Sequence, residues 1–219
     1  LDHLVACGPG VERIAEEVAA TFDKARIIVL SSDMAGGVKR LRLELDAIAK
    51  GEADIVIALE RPEHGPYVCC KLCDYRLQLY ATQEYLDRHP PIRRPSDLGE
   101  HQFISYVDDL AFSSELLYLA NVVPGASASL RSTSVIAQYV AAQQGRSMAI
   151  LPCFLAAQDP RLLPVLGEQI AITRQFWMYC REDLRKLKRI TLLWDYIREV
   201  TEQNQGLLMG ETRQMRFTD

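Results

Sequence analysis

One pattern occurs twice in the chain and constrains its fold more than any other feature: an amphipathic helix, a glycine and then a wholly apolar strand. A helix that leads into a continuous apolar strand is typical of a parallel sheet covered on both faces. Two such units predict an α/β protein with two Rossmann-like lobes, and a cleft between two lobes is a common place for a small molecule to bind. The two copies comprise Val38–Lys50, Gly51 and Ile55–Leu59, then Val135–Gln144, Gly145 and Met148–Leu151.

The composition narrows the class of protein. The chain has 219 residues, of which 48% are hydrophobic and 25% charged, as in a folded globular protein. A net charge of −4 argues against DNA binding by this chain alone, because phosphate neutralisation needs a basic surplus. No apolar run reaches the roughly 18 residues of a membrane span, and no signal peptide is recognisable. Because the chain starts at Leu1 without a methionine, we expect it to be a piece of a longer protein.

The remaining pattern predicts how the two lobes are connected. Residues 1–59 have the pattern of a β-α-β-α-β unit, and a final helical stripe after residue 187 is expected to pack back on that first lobe. Lobe I therefore comprises residues 1–80 plus 181–219, and lobe II residues 81–180. The chain would cross between lobes near Ala81 and near Cys180, which predicts a two-crossing hinge. Two separate strands are expected over 68–72 and 76–81, and a frayed polar tail from Gly206 onwards.

The six cysteines are interpreted as reduced thiols. The spacing of Cys70 and Cys73 is that of some metal and redox sites. In a strand, however, these two side chains point to opposite faces of the sheet. No second pair of cysteines or histidines follows at zinc spacing, so no metal site is predicted.

Three short polar turns follow predicted strands and precede predicted helices, at the edge where α/β sheets bind ligands. Helix N-termini there offer N–H groups to an anion, and hydroxyl groups add directional hydrogen bonds. The alternative is that the serines and Thr133 only cap their helices. Arg61, just after a strand, is a candidate partner for a ligand carboxylate, with a solvated loop arginine as the alternative. The turns are Gly8-Pro9-Gly10, Ser31-Ser32-Asp33 and Ser132-Thr133-Ser134.

No constellation of residues in the sequence predicts catalysis. Nucleophile elbows, phosphate-binding loops, zinc-protease motifs and dinucleotide fingerprints do not occur. Asp108 and Asp109 are adjacent carboxylates, but neighbouring residues need not converge on one substrate. We therefore expect a binding protein without catalytic residues and without a cofactor.

Several segments in order resemble the effector-binding domain of LysR-type transcriptional regulators. The segment Leu45–Ala58 is similar to the family's "leucine, gly-glu, x-asp-ile-ala-ile" passage. Leu79–Leu86, with the prolines that follow, resembles the family's hinge crossing and next helix. Ser132–Pro152 is similar to a helix that starts at a hydroxyl-rich turn and ends in glycine and "ala-ile-leu-pro", although Ser147 stands where the family commonly has a second glycine. The likeness runs from Leu1 to about Glu199.

The resemblance implies a periplasmic-binding-protein-like (type 2) fold with a small effector between the lobes, and the helix N-termini at the polar turns favour an anionic one. It implies homodimers or homotetramers in which the lobes of neighbouring subunits pair antiparallel. It also implies a winged helix-turn-helix, absent from this chain, through which the whole protein binds DNA in the cytoplasm. The family's effector positions correspond to Cys7, Gly8, Pro9, Ser31, Ser32, Ile104, Tyr106, Ser132, Thr133, Ser134 and Pro152.

Two other functions remain open on the sequence. A solute-binding protein of a transport system would share the fold, but such proteins are exported and this chain has no visible signal peptide. An enzyme on a two-lobed fold is the third reading, and it lacks the residues for catalysis.

Overall fold

The computed structural model describes residues 27–29, 54–108 and 116–216, and side chains at all of these except 27–29 and 168. Of the β-α-β-α-β unit predicted over residues 1–59, the described residues contain the strands Ile27–Val29 and Ile55–Ala58. The helix predicted at Val38–Lys50, the Gly51 that ends it and the other earlier elements of that unit lie outside the described residues. So do the turns at 8–10 and 31–33.

The described strands have three to five residues each, except for two longer ones. The longer of these has 16 residues and the other 11. In chain order the strands are β1 Ile27–Val29, β2 Ile55–Ala58, β3 Tyr67–Thr82, β4 Gln102–Ser105, β5 Ser127–Arg131, β6 Met148–Pro152, β7 Leu162–Val165 and β8 Ala171–Arg181.

The helices of the described residues range from one turn to 16 residues, and two further 3₁₀ segments cover Pro95–Glu100 and Gly167–Ile170. No helix among them has both the length and the apolar character needed to cross a membrane. In chain order the α-helices are α1 Gln83–Arg88, α2 Leu119–Val122, α3 Val135–Gln143, α4 Cys153–Ala156, α5 Glu182–Arg185, α6 Lys188–Gln203 and α7 Gln205–Leu208.

The chain divides into two compact units. Among the described residues, unit 1 comprises those up to Cys73, then Gln175–Gln205 and Met215 onwards; unit 2 comprises Asp74–Arg174 and Gly206–Gln214. The strands β3 and β8 each contribute residues to both units.

Unit 1 is a sheet covered by the long helix α6. The strand β1 pairs in parallel with β2, and β2 pairs antiparallel with β8. The stripe of Ile190, Leu193, Trp194, Ile197 and Val200 that the 3.6-residue period predicts is buried in α6. The first four of these pack against Ile55, Met178 and Cys180 of the sheet. Each large side chain buried in this way contributes about 1.5–3 kcal/mol, so the stripe holds α6 to its sheet.

Unit 2 contains the second predicted helix–glycine–strand unit. The strands β5, β4 and β6 are neighbours and mutually parallel, and β3 pairs antiparallel with β6 and with β7. Every residue of β6 is buried, as its continuous apolar sequence predicts. The helix α3 packs through Val135 and Tyr139 on a core that includes Ile104, Ala149 and Leu151.

The structure corrects two expectations about the course of the chain. The segments expected as separate strands at 68–72 and 76–81 form the single strand β3. Buried residues alternate along it from Cys73 through Tyr75 and Leu77 to Leu79, so the charged residues between them lie on the other face and do not interrupt the strand. The expected frayed tail is instead ordered to residue 216, and includes α7 and the buried Leu207.

The cysteines of the described residues form no disulfide. Cys70 packs on the α6 side of the sheet in unit 1, whereas Cys69 packs with Val56 and Tyr179. The two faces alternate along β3 as the strand geometry requires. Burial raises the pKa of both thiols, and the nearby Arg61 guanidinium opposes this at Cys69.

Candidate functional site

Three parallel strands of unit 2 end at one edge of its sheet, and candidate ligand-binding residues follow each of them. Because β4 lies between β5 and β6 and runs parallel to both, their carboxyl ends share that edge. Tyr106 follows β4, the turn Ser132–Ser134 follows β5, and Pro152 ends β6. The topology therefore brings three separately predicted segments to the same side of one unit.

The hydroxyl-rich turn connects β5 to α3 through its own hydrogen bonds. The Ser134 Oγ atom accepts from the Ala137 N–H at 3.1 Å, so Ser134 is the N-cap of α3. The Ser132 Oγ atom accepts from the Ser134 N–H at 3.1 Å, and its own O–H proton stays available to donate. Thr133 is exposed at the tip of the turn, and its hydroxyl makes no hydrogen bond to the residues described.

A buried amide supports this turn from below. Gln138 is almost fully buried, and its Nε2 donates to the Ser132 carbonyl oxygen at 3.1 Å. The Ser132 N–H in turn donates to the Ser105 carbonyl at 3.0 Å. Both polar groups of the Ser132 backbone are thus fixed, and Gln138 is a supporting residue that the sequence analysis did not identify.

Tyr106 and Ile104 are buried inside unit 2. Tyr106 is 3% exposed, and its ring packs edge-on against Tyr118 with centroids 6.1 Å apart. Burial raises the pKa of Tyr118 well above its usual range, and its hydroxyl donates to the Ile150 carbonyl. Ile104 belongs to the core beneath α3. Both residues support the edge from inside the unit.

Arg131 is a cation at this edge that the sequence analysis missed. It is the last residue of β5, and its Nη1 donates to the Tyr106 carbonyl at 3.1 Å and to Asp108 Oδ2 at 2.9 Å. It therefore joins the segments that follow β4 and β5. In the sequence, its position directly before the hydroxyl-rich turn could have indicated a cation at this edge. The ion pair is partly exposed on both sides, so it contributes little stability by itself.

Of the remaining candidate residues, Pro152 lies in unit 2 and Arg61 in unit 1. Pro152 is buried where β6 passes directly into α4, so it forms an apolar end to the strand. Arg61 is exposed in unit 1, with its guanidinium carbon 5.9 Å from the centre of the Trp177 ring. A stacked arginine of this kind already has a structural partner. Cys7, Gly8, Pro9, Ser31 and Ser32 lie outside the described residues.

A cluster of aromatic and imidazole rings packs elsewhere in unit 2 and was not predicted. The Gln102 N–H donates to the Tyr85 hydroxyl, which lies 3.0 Å from His101 Nδ1 and shares a hydrogen bond with it. His101 is 2% exposed, and burial, with the neighbouring His89, lowers its pKa. The cluster fixes α1 to the start of β4.

Residues 44–202 match the LysR substrate binding domain family. The match covers more than half of the chain, so the chain belongs to this family, whose domains are the effector-binding parts of LysR-type transcriptional regulators. The family is one of ligand-binding domains rather than enzymes. Its fold is the two-lobed, periplasmic-binding-protein-like class that the sequence predicted.

The regulatory domain of CrgA from Neisseria meningitidis, a LysR-type transcriptional regulator, has a similar structure. The TM-score is 0.64 at 20% identity, covering 86% of this chain and 90% of that one. The uncharacterized HTH-type transcriptional regulator YiaU of Escherichia coli K12 is 28% identical over 113 residues, covering 49% of this chain. A shorter similarity, 40% over 59 residues, links 27% of the chain to the replication restart protein PriA of Rickettsia prowazekii. The chain spans 34% of YiaU and 9% of PriA.

Proposed function

We propose that the chain is the sensing part of a longer, cytoplasmic DNA-binding regulator, and that a small anionic effector binds at the carboxyl edge of β4, β5 and β6. The observation that carries the proposal is the turn Ser132–Ser134, which stands at the N-terminus of α3 and is held by Gln138. Helix N-termini favour anions because their N–H groups and dipole present positive charge. The exposed Thr133 hydroxyl and the unused Ser132 proton provide directional donors.

The effector would act by changing the balance between two arrangements of the protein. A ligand shifts such an equilibrium only as far as it binds one arrangement more tightly than the other. We infer that β3 and β8 serve as the two hinge crossings, because each contributes residues to both units. DNA binding would belong to a winged helix-turn-helix outside this chain, as the description of YiaU as an HTH-type regulator supports. A transport solute-binding protein is not favoured, since the family match is to regulators.

Substituting the turn separates its binding role from its capping role. Thr133→Ala and Ser132→Ala are each expected to weaken effector binding by about 1 kcal/mol, or roughly fivefold, because each removes one donor. Ser134→Ala is the matched control, and it should lower the free energy of unfolding by about 1 kcal/mol because it removes the N-cap. The measurement is calorimetric titration with the carboxylate that most stabilises the wild-type chain against heat. Unchanged affinity in both Thr133→Ala and Ser132→Ala would remove the turn from the site.

We propose further that unit 2 contributes to a homodimer or homotetramer through β5 and α3. Leu130 of β5 is 45% exposed and Val140 of α3 is 48% exposed. Among the strands described, β5 is the outermost of the unit 2 sheet, so one of its backbone edges has no partner strand there. Large exposed apolar side chains and an unpaired strand edge are each features of subunit interfaces. A second copy of this chain is the occupant that the family implies.

Charges placed on this surface test the assembly. Leu130→Asp and Val140→Asp are expected to convert the oligomer to monomer in sedimentation velocity at micromolar concentration, because each buries a carboxylate at the interface. Leu192→Asp is the control, since Leu192 is 53% exposed on α6 of unit 1. An oligomer that persists in both unit 2 variants, or that is lost equally in Leu192→Asp, would contradict the assignment.

A further inference from the structure

The end of the chain makes an excursion from one unit to the other. It leaves unit 1 after Gln205 and returns to it at Met215, and the intervening residues 206–214, here named the C-terminal strap, belong to unit 2. Within the strap, the N–H groups of Glu211 and Thr212 both donate to the Gly206 carbonyl, at 2.8 and 3.2 Å. These bonds close the strap into a compact loop rather than a frayed tail.

The base of the strap is fastened inside unit 1. Asn204 is 7% exposed, and its side-chain amide pairs with both backbone groups of Arg216. The Nδ2 donates to the Arg216 carbonyl at 2.9 Å, and the Arg216 N–H donates to Oδ1 at 2.7 Å. The same Nδ2 also donates to the Val200 carbonyl of α6. One buried amide therefore ties the point where the strap begins to the point where it ends.

The body of the strap meets unit 2 through a close contact and a hydrogen bond. Gly210 has φ +75°, and a Cβ built there would lie 2.9 Å from both Cβ and Sγ of Cys153. The Arg213 Nη2 donates to the Leu162 carbonyl at 3.3 Å, and Leu207 is buried. Cys153 is the first residue of α4, directly after Pro152, and is 2% exposed. The strap thus docks on the turn by which β6 leaves the candidate ligand edge.

We propose that the C-terminal strap is a releasable latch on unit 2. Docked, it covers Cys153 and restrains the turn from β6 to α4; released, it exposes both, while Asn204 keeps its base attached. The difference in fastening supports this, because the base is held by three short hydrogen bonds to one buried amide. Beyond the buried Leu207, the body is held by the Gly210 contact and one longer hydrogen bond. A regulator can use such a latch to change the mobility of Pro152 without unfolding either unit.

Alkylation of Cys153 by iodoacetamide tests the latch without any effector. The whole chain is labelled under native conditions, and each of its cysteine-containing peptides is followed by mass spectrometry. Burial raises the pKa of Cys153, and the thiol reacts only when it is uncovered. Gly210→Ala, whose methyl group cannot fit against Cys153, is expected to raise the labelling rate of Cys153 about tenfold or more. Gly125→Ala is the control, because Gly125 has φ +79° with open space around it.

The pattern of labelling decides the outcome. A rise at Cys153 in Gly210→Ala, with Cys180 of unit 1 still protected, supports the latch. A rate equal to that of Gly125→Ala contradicts it. If Gly210→Ala exposes all cysteines alike, Arg213→Ala takes its place, because it removes the hydrogen bond to Leu162 and adds no atoms to the strap. Labelling of Cys153 in Arg213→Ala at the wild-type rate would then overturn the proposal.

Discussion

Asp159→Ala is expected to lower the free energy of unfolding by about 2–3 kcal/mol at pH 7. The carboxylate is 6% exposed and fastens the end of α3 to the segment before β7. Its Oδ2 accepts from Gln143 Nε2 at 2.7 Å and from Arg161 Nη2 at 2.6 Å, and its Oδ1 accepts from the Arg161 N–H. Removing it leaves the Gln143 amide without its acceptor. Urea unfolding followed by circular dichroism measures the loss.

The free energy of unfolding at acid pH tests the same residue. The Arg161 side chain, by hydrogen bonding to the carboxylate, holds the pKa of Asp159 at about 2, against an ordinary value of 3.8. A carboxyl with a depressed pKa stabilises the fold above the unfolded-state value, so its contribution is complete above pH 4 and is lost as the pH falls towards 2. Asp159→Asn should lack this part of the pH dependence.

The pair of Arg181 and Asp183 provides a matched control. It has the same two-residue spacing and an N–O distance of 2.8 Å, but the Asp183 side chain is 61% exposed. Exposed pairs contribute about 0–1 kcal/mol, so Asp183→Ala should change stability little. Equal losses in Asp159→Ala and Asp183→Ala would contradict the structural role assigned to Asp159.

Gly145→Ala is expected to destabilise the chain by about 2 kcal/mol. Gly145 ends α3 with φ +65°, a left-handed conformation that costs about 1 kcal/mol for alanine. An added Cβ would also lie 2.7 Å from the Oγ1 of Thr82, the atom that caps α1. The substitution therefore strains one helix end and disturbs the start of another. Thermal unfolding followed by circular dichroism measures the effect.

Gly167→Ala separates the two contributions to that loss. Gly167 also has a positive φ, +48°, but a Cβ there would meet nothing within 4 Å. We expect it to lose only the backbone contribution, about 1 kcal/mol. If the free energy of unfolding falls equally in the two variants, the close contact with Thr82 does not contribute to the loss in Gly145→Ala.

The sequence predicted those parts of the fold that periodicity and local capping determine. The helix–glycine–strand unit of α3, Gly145 and β6 is present, and its glycine has the left-handed backbone that makes it a stop. Thr82, directly before α1, accepts from the Tyr85 N–H, and a hydroxyl residue ahead of a helix is a local capping pattern. The α6 stripe is buried as its spacing requires. In each case the signal lies within a few residues of the feature it specifies.

The rest depends on contacts that sequence spacing does not contain. The continuity of β3 comes from pairing with strands far along the chain, including β6 and β7. The ordered strap depends on Asn204 reaching Arg216 and on Gly210 fitting against Cys153. Likewise, the support that Gln138 and Arg131 give to the hydroxyl turn appears only when β4 and β5 are placed side by side. Such long-range pairings carry no local pattern.

For the candidate site residues, the sequence indicates the strand ends that they follow but not which of their side chains are buried or already hydrogen-bonded. Ser134 is occupied as an N-cap, and Tyr106 and Ile104 are buried within the unit. The exposed donor at the tip is Thr133. A residue type at a strand end predicts the edge at which it lies, but whether its polar group is already satisfied depends on neighbours from other elements.

Thermal shift in a panel of small carboxylates, measured on the wild-type chain beside Thr133→Ala, tests most directly whether the turn after β5 binds an anion. A carboxylate present at a hundred times its dissociation constant stabilises the folded state by about 2.7 kcal/mol. We expect at least one member of the panel to raise the melting temperature of the wild type by several degrees and that of Thr133→Ala by clearly less. A panel without effect, or an equal rise in both proteins, would contradict the account.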